Sequence, residues 1–108
     1  MSIPREGCFL RVFISESHQW EGQPLYEAIV LKARKMHLAG ATVLRGALGY
    51  GASSKLHTSK ILRLSEDLPV VIEIVDDRDK LEEILPFLDQ AVTHGMATLE
   101  RAEVIWYR

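Results

Sequence analysis

Residues 70–75, VVIEIV, restrict the fold more than any other stretch of the chain. Val70, Ile72 and Ile74 fall on one face of a strand, and Val71, Glu73 and Val75 on the other, so both faces are substantially apolar. A strand of that kind needs two coverings. The chain has 108 residues with which to supply them, one domain's worth, and 1–108 reads as a single domain. Association with further copies is the natural second covering.

The other elements follow from period and punctuation. In CFLRVFIS (8–15), Cys8, Leu10, Val12 and Ile14 read as the core face of a strand, and Phe9, Arg11, Phe13 and Ser15 as a partly covered face. Pro24 stands at a helix start, where its missing N–H costs nothing. Leu25, Ile29, Ala33 and Met36 then recur at helical spacing, and Gly40 suits the position after the helix, which is expected over 24–38. ATVLRGAL (41–48) is a second strand, reached by a crossover, so it lies parallel to the first, either as a neighbour or one strand away. GYGASSKLHTSK (49–60) is a long loop with no clean period, expected to be mobile over 52–60. Ile61, Leu62 and Leu64 suggest a short strand-like return. After strand 70–75, Asp76 is a candidate cap for a helix carrying Leu81, Ile84, Leu85 and Leu88. Pro86 should kink that helix, and Gly95 should end it. ATLERAEVIWY (97–107) is the last strand.

The order β-α-β-loop-β-α-β predicts an α+β, ferredoxin-like βαββαβ sandwich: a four-stranded antiparallel sheet with two helices on one face. A flavodoxin-like fold needs more parallel strands. The bare face would carry Phe13, Val71, Val75 and one of Trp106 and Tyr107, which favours self-association.

Composition narrows the function. Thirteen Lys+Arg against fifteen Asp+Glu, a net charge of -2, argue against a nucleic-acid-coating protein. One cysteine, Cys8, excludes an internal disulfide framework and a thiolate-rich zinc site. No apolar run approaches the roughly 20 residues of a membrane span, and no signal-peptide pattern opens the chain, so a cytoplasmic protein is expected. His18, His37, His57 and His94 form no HxH or HExxH, and no metal is expected. No Ser/His/Asp or Cys/His set has local support, so no catalytic residue is assigned and the protein is read as non-enzymatic.

At LAGATVLRGALGYG (38–51) the chain resembles the PII signal-transduction superfamily, with its Gly-x-Thr-Val entering the second strand and its Gly-aromatic-Gly opening the long T-loop. GQPLYEAIVLKAR (22–34), AGATVLRGALGYGASSKLHT (39–58) and RLSEDLPVVIEIVD (63–76) together resemble the PII-like proteins of domain-of-unknown-function family 190, over 7–108. The resemblance implies a compact homotrimer with sheet faces toward the threefold axis. It also implies an adenine nucleotide, or a related phosphorylated ligand, in clefts between subunits, reported to a regulated protein partner through the 49–60 loop. Thr42 matches the threonine that lines the adenine pocket, and Gly49, Tyr50 and Gly51 match the Gly-Phe-Gly of the T-loop base. The chain then departs from the pattern. Ala52 and Ser53 replace an arginine and a glutamine, only Gly95 answers the Gly-Asp-Gly-Lys segment, and Arg101 and Arg108 do not form the C-terminal Arg-x-Arg.

The candidate ligand-binding set is therefore Thr42, Arg45, Gly46, Gly49, Tyr50, Gly51, Lys55, Gly95 and Arg101. Glycines 46, 49 and 51 permit close backbone approach to an anion, but GYGASSK lacks the spacing of a P-loop. Arg11 and Arg45, on strands among apolar neighbours, each need a carboxylate, with Glu73 one candidate, or a ligand anion. Lys55, His57, Lys60 and Arg63 suit an acidic partner surface, which leaves open a trimeric scaffold with no small ligand. A weak nucleotide-processing enzyme is the second alternative. Trp20 anchors the first helix, fills a subunit cleft or stacks on a base.

Overall fold

The computed structural model describes residues 3–50, 57–58 and 68–107. Strand β1 (Arg5–Ser15) leads into a two-residue hairpin of β2 (Gln19–Trp20) and β3 (Gln23–Pro24), then α1 (Leu25–Lys35) and β4 (Ala41–Arg45). Short strands β5 (Leu48–Gly49) and β6 (His57–Thr58) pair with each other. Next come β7 (Pro69–Asp76), α2 (Arg78–Glu82), α3 (Leu85–Ala91) and β8 (Met96–Val104). The main sheet has four strands in the order β4-β7-β1-β8, and every pairing is antiparallel. Strands β1 and β4 thus run parallel with β7 between them, which is the ferredoxin-like arrangement.

Side-chain alternation settles the layers. Cys8, Leu10, Val12 and Ile14 of β1 and Val70, Ile72 and Ile74 of β7 are buried. They pack with Leu25, Ala28, Ile29 and Ala33 of α1, and with Leu81, Ile84, Leu88 and Ala91 of the second helical stretch. Each large aliphatic side chain buried this way is worth about 1.5–3 kcal/mol. The opposite rows, Phe9, Arg11, Phe13 and Val71, Glu73, Val75, are only partly covered. The two faces expected for both central strands are therefore observed.

Several boundaries differ, each for a local reason. Pro24 is the N-cap of α1 (φ -59°, ψ 132°) rather than its first helical residue, because it closes the β2–β3 hairpin opposite Gln19. The left-handed residue that ends α1 is His37 (φ 61°), not Gly40. His37 N–H donates to the Arg34 carbonyl and Leu38 N–H to the Ala33 carbonyl, both at 3.0 Å, the paired bonds of a Schellman turn. Glycine fits that conformation at lower cost, so His37→Gly is expected to raise stability by about 0.5–1 kcal/mol in urea unfolding. An unchanged or lowered midpoint would contradict this reading.

Asp76 does not cap the second helix. It is the last residue of β7, the N-cap is Asp77, and the Asp76 carboxylate is turned inward. Pro86 acts as expected: lacking the N–H that would reach residue 82, it divides the helix into α2 and α3. The helical stretch ends at Ala91, short of Gly95, and β8 ends at Val104 rather than 107. Trp106 and Tyr107 consequently lie beyond the sheet, with Tyr107 exposed. The expected mobility of 52–60 and the return at Ile61, Leu62 and Leu64 lie outside the described residues, apart from the backbone pairing of β6.

Candidate functional site

Three segments meet where β1 ends and β7 begins. Gly46 follows β4 and donates its N–H to the Pro69 carbonyl at 2.7 Å. A Cβ on Gly46 would stand 2.9 Å from Pro69 Cγ, and one on Gly49 would stand 3.2 Å away. The loop base is thus laid flat on Pro69, and these glycines are set by close approach. Leu48 and Tyr50 project from it, 60% and 71% exposed, as apolar surface without a covering among the described residues. On the opposite edge of the sheet, Gly95 brings the start of β8 against the Phe13 carbonyl.

The same end is stitched by polar contacts. The His18 ring faces the Gln19 carbonyl through Nδ1 (3.2 Å) and accepts the Thr93 N–H at Nε2 (3.3 Å), which selects the Nδ1–H tautomer. His18 also lies 6.5 Å from the His94 ring. Arg45, on the helix side of β4, is ion-paired with Glu16. The hydrogen bond to Glu16, reinforced by its charge, holds the Arg45 guanidinium above its ordinary pKa. The need for a counter-charge at Arg45 is met inside the chain.

Thr42 stands elsewhere. The register places Thr42, Glu73, Arg11 and Thr98 in one row across the open face, and Leu44, Val71, Phe13 and Met96 in the next row. Arg11 Nε donates to Glu73 Oε2 at 3.2 Å, and Arg11 also pairs with Glu100. The hydrogen bonds to Glu73 and then Glu100 raise the Arg11 pKa. Its guanidinium lies 4.1 Å from the centre of the Phe9 ring. The open face is therefore banded, charged in one row and apolar in the next. The Arg11–Glu73 pair was a legible alternative in the sequence; the role of Glu100 was not, because it depends on β8 register.

Arg101 lies apart from both groups. It pairs with Cys8 near the far end of β8, on the helix side, beside a small cleft of about 160 Å³ shared with Glu6 and Arg78. One chain does not bring Thr42 and Arg101 together: they sit on opposite faces of the sheet, on edge strands about 14 Å apart at a strand spacing of 4.7–4.9 Å, and three residues apart in register. Gly51, Lys55, Lys60 and Arg63, and the side chain of His57, lie outside the described residues. Trp20 packs edge-on against Phe87 of α3, with ring centres 5.9 Å apart.

The family model DUF190, described as "Uncharacterized ACR, COG1993", matches residues 7–104. The chain belongs to the DUF190 family. A UPF0166 protein from Aquifex aeolicus is 38% identical over 97 residues, covering 90% of this chain and 91% of that protein. A UPF0166 protein from Methanocaldococcus jannaschii is 34% identical over 86 residues, covering 80% and 79%. Among solved structures, a protein from Thermus thermophilus described as a PII-like signaling protein superposes with a TM-score of 0.68 at 14% identity, over 94% of this chain and 92% of that one. CPII from Thiomonas intermedia K12, a nitrogen regulatory PII-like protein bound to ADP, AMP and bicarbonate, gives 0.65 at 14% identity, over 94% and 91%. The DUF190 chain thus has the PII-like fold, and a structural neighbour with that fold binds adenine nucleotides. No helix among its described residues is long and apolar enough to cross a membrane.

Proposed function

We propose that this DUF190 protein is a non-enzymatic PII-like regulator that binds an adenine nucleotide between subunits of a homotrimer and reports it through the loop based at Gly46–Tyr50. The observation that carries the reading is the dispersal of the candidate residues. Thr42 and Arg101 occupy opposite edges and faces of the sheet. A site using both must be assembled from two chains. The banded open face, with Leu44 and Met96 about half exposed or more, supplies apolar area for that assembly. The likeness to CPII, itself bound to ADP and AMP, supports the ligand class. In this arrangement the Thr42 hydroxyl meets the base or ribose and the glycine backbone approaches the phosphates. Arg45, already paired with Glu16, contributes to phosphate binding only if that pair opens.

Calorimetry against AMP, ADP, ATP and cyclic nucleotides, with and without Mg²⁺, tests the ligand. Sedimentation equilibrium tests the assembly, with about three times the 12.2 kDa chain mass expected. Thr42→Val keeps the shape and removes the hydroxyl, and should weaken binding about tenfold, the worth of one hydrogen bond near 1 kcal/mol or slightly more. A monomer, or no saturable binding across the panel, would overturn the proposal.

A further inference from the structure

One residue at the loop base has no part in the nucleotide contacts. Glu16 stands directly after β1 and reaches both ends of the stretch that joins β4 to β7. Its N–H donates to the Leu68 carbonyl at 2.7 Å, one residue before β7 begins. Its carboxylate is ion-paired with Arg45, the last residue of β4. The register sets Arg45 opposite Val70 and Ser15 opposite Pro69, with β7 between them. The Arg45 side chain thus spans two strand spacings, about 9–10 Å, to reach its partner. Tyr26 of α1 is a second, lesser contact of the same guanidinium.

The two partners are unequally exposed. The Glu16 side chain is 14% exposed and the Arg45 side chain 61%. The carboxylate is largely withdrawn from water, with Arg45 as its one cation among the described residues, while the guanidinium faces solvent on an edge strand. Parting the pair strands the carboxylate, and a nearly buried charge without its partner is costly. Glu16 is also fixed by its own backbone bond to Leu68. It therefore competes for Arg45 as a tethered anion, at an effective concentration that a free anion does not reach. An incoming anion takes Arg45 only when further contacts hold it at the loop base.

We propose that Glu16 is a specificity-determining residue: it holds Arg45 against free phosphate and yields it to a phosphate group anchored through the rest of its ligand. The anchored case rests on the nucleotide reading above; the exclusion of free anions does not. Pyrophosphate is the free-anion probe, titrated into the isotope-labelled full chain while the Arg45 Nε–H resonance is followed, and ADP calorimetry reads the anchored case. The parent should show no saturable shift at Arg45 with pyrophosphate up to about 10 mM, a range where only very weak binding survives. Glu16→Gln keeps the shape and removes the charge. It should capture pyrophosphate saturably at Arg45 and bind ADP about tenfold more tightly than the parent. Adding Arg45→Gln to that variant should abolish both gains. Saturable pyrophosphate binding at Arg45 in the parent, or none in folded Glu16→Gln, would overturn the proposal. So would an ADP affinity in Glu16→Gln equal to the parent's or below it. Failure of ADP to bind either chain would overturn the nucleotide reading, while the pyrophosphate contrast between the two chains would still support Glu16 as the filter.

Discussion

Gly95→Ala is expected to lower stability by about 2–4 kcal/mol, a large fraction of what a domain of this size has to lose. The added Cβ would lie 2.5 Å from the Phe13 carbonyl oxygen and 2.9 Å from Ile14 Cγ2, with a third contact at 3.3 Å to Val92. Phe13 is hydrogen-bonded within the sheet on the central strand, so its carbonyl cannot retreat without opening the β1–β8 ladder. The backbone at Gly95 also has φ 155°, a region that side chains rarely enter. Urea unfolding should show a lower midpoint with an unchanged slope. A midpoint within about 0.5 kcal/mol of the parent, the usual scatter of neutral surface changes, would show that β8 shifts freely. The fold alone accounts for glycine here, so ligand measurements on a Gly95 variant are informative only where the variant is shown to be folded.

Asp76→Ala should cost a similar amount by the opposite route, removing atoms rather than adding them. Asp76 is 5% exposed, and its two oxygens accept the Asp77 N–H at 2.6 Å and the Ala39 N–H at 2.9 Å. Lys80 Nζ stands 3.9 Å from the second oxygen. Truncation leaves two backbone donors without an acceptor, at about 1–3 kcal/mol each, and a total near 2–4 kcal/mol is expected. Asp76→Asn keeps one acceptor oxygen and should lose about half as much. Amide exchange separates this from a general loosening: the Ala39 N–H should lose protection in Asp76→Ala, while the centre of β7 stays protected in Asp76→Asn. Full protection at Ala39 in Asp76→Ala would contradict the geometry.

The sequence carried the fold because its strongest signals were periodic. Alternation in β1 and β7 and the helical spacing after Leu25 are local patterns, and they named both the core face and the crossover. Ends were less legible. Nothing local indicated that His37 would take a left-handed turn in preference to Gly40, and the bond from Ala39 N–H to Asp76 that follows the turn joins residues 37 positions apart. Asp76 itself read as a helix cap because the sequence shows that a carboxylate precedes a helix, not that it points inward. The candidate site divided the same way. Gly46 and Gly49 were found as a motif, whereas the Glu16–Arg45 pair and the Arg11–Glu73–Glu100 cluster join residues far apart in sequence.

The central position of β1 has a consequence for synthesis. Its two partners are β7 and β8, the last two strands to be made. Ser15 must wait for Pro69, its opposite number on β7, and at about 5–20 residues per second the intervening stretch takes roughly 3–10 s to translate. Throughout that interval the nascent chain holds a strand rich in Phe, Leu, Val and Ile with both edges unsatisfied, an invitation to pair with neighbouring chains on a polysome. Arg11 is the one charge in the apolar run from Cys8 to Ser15 that can discourage it, and serves there before it has either of its carboxylates.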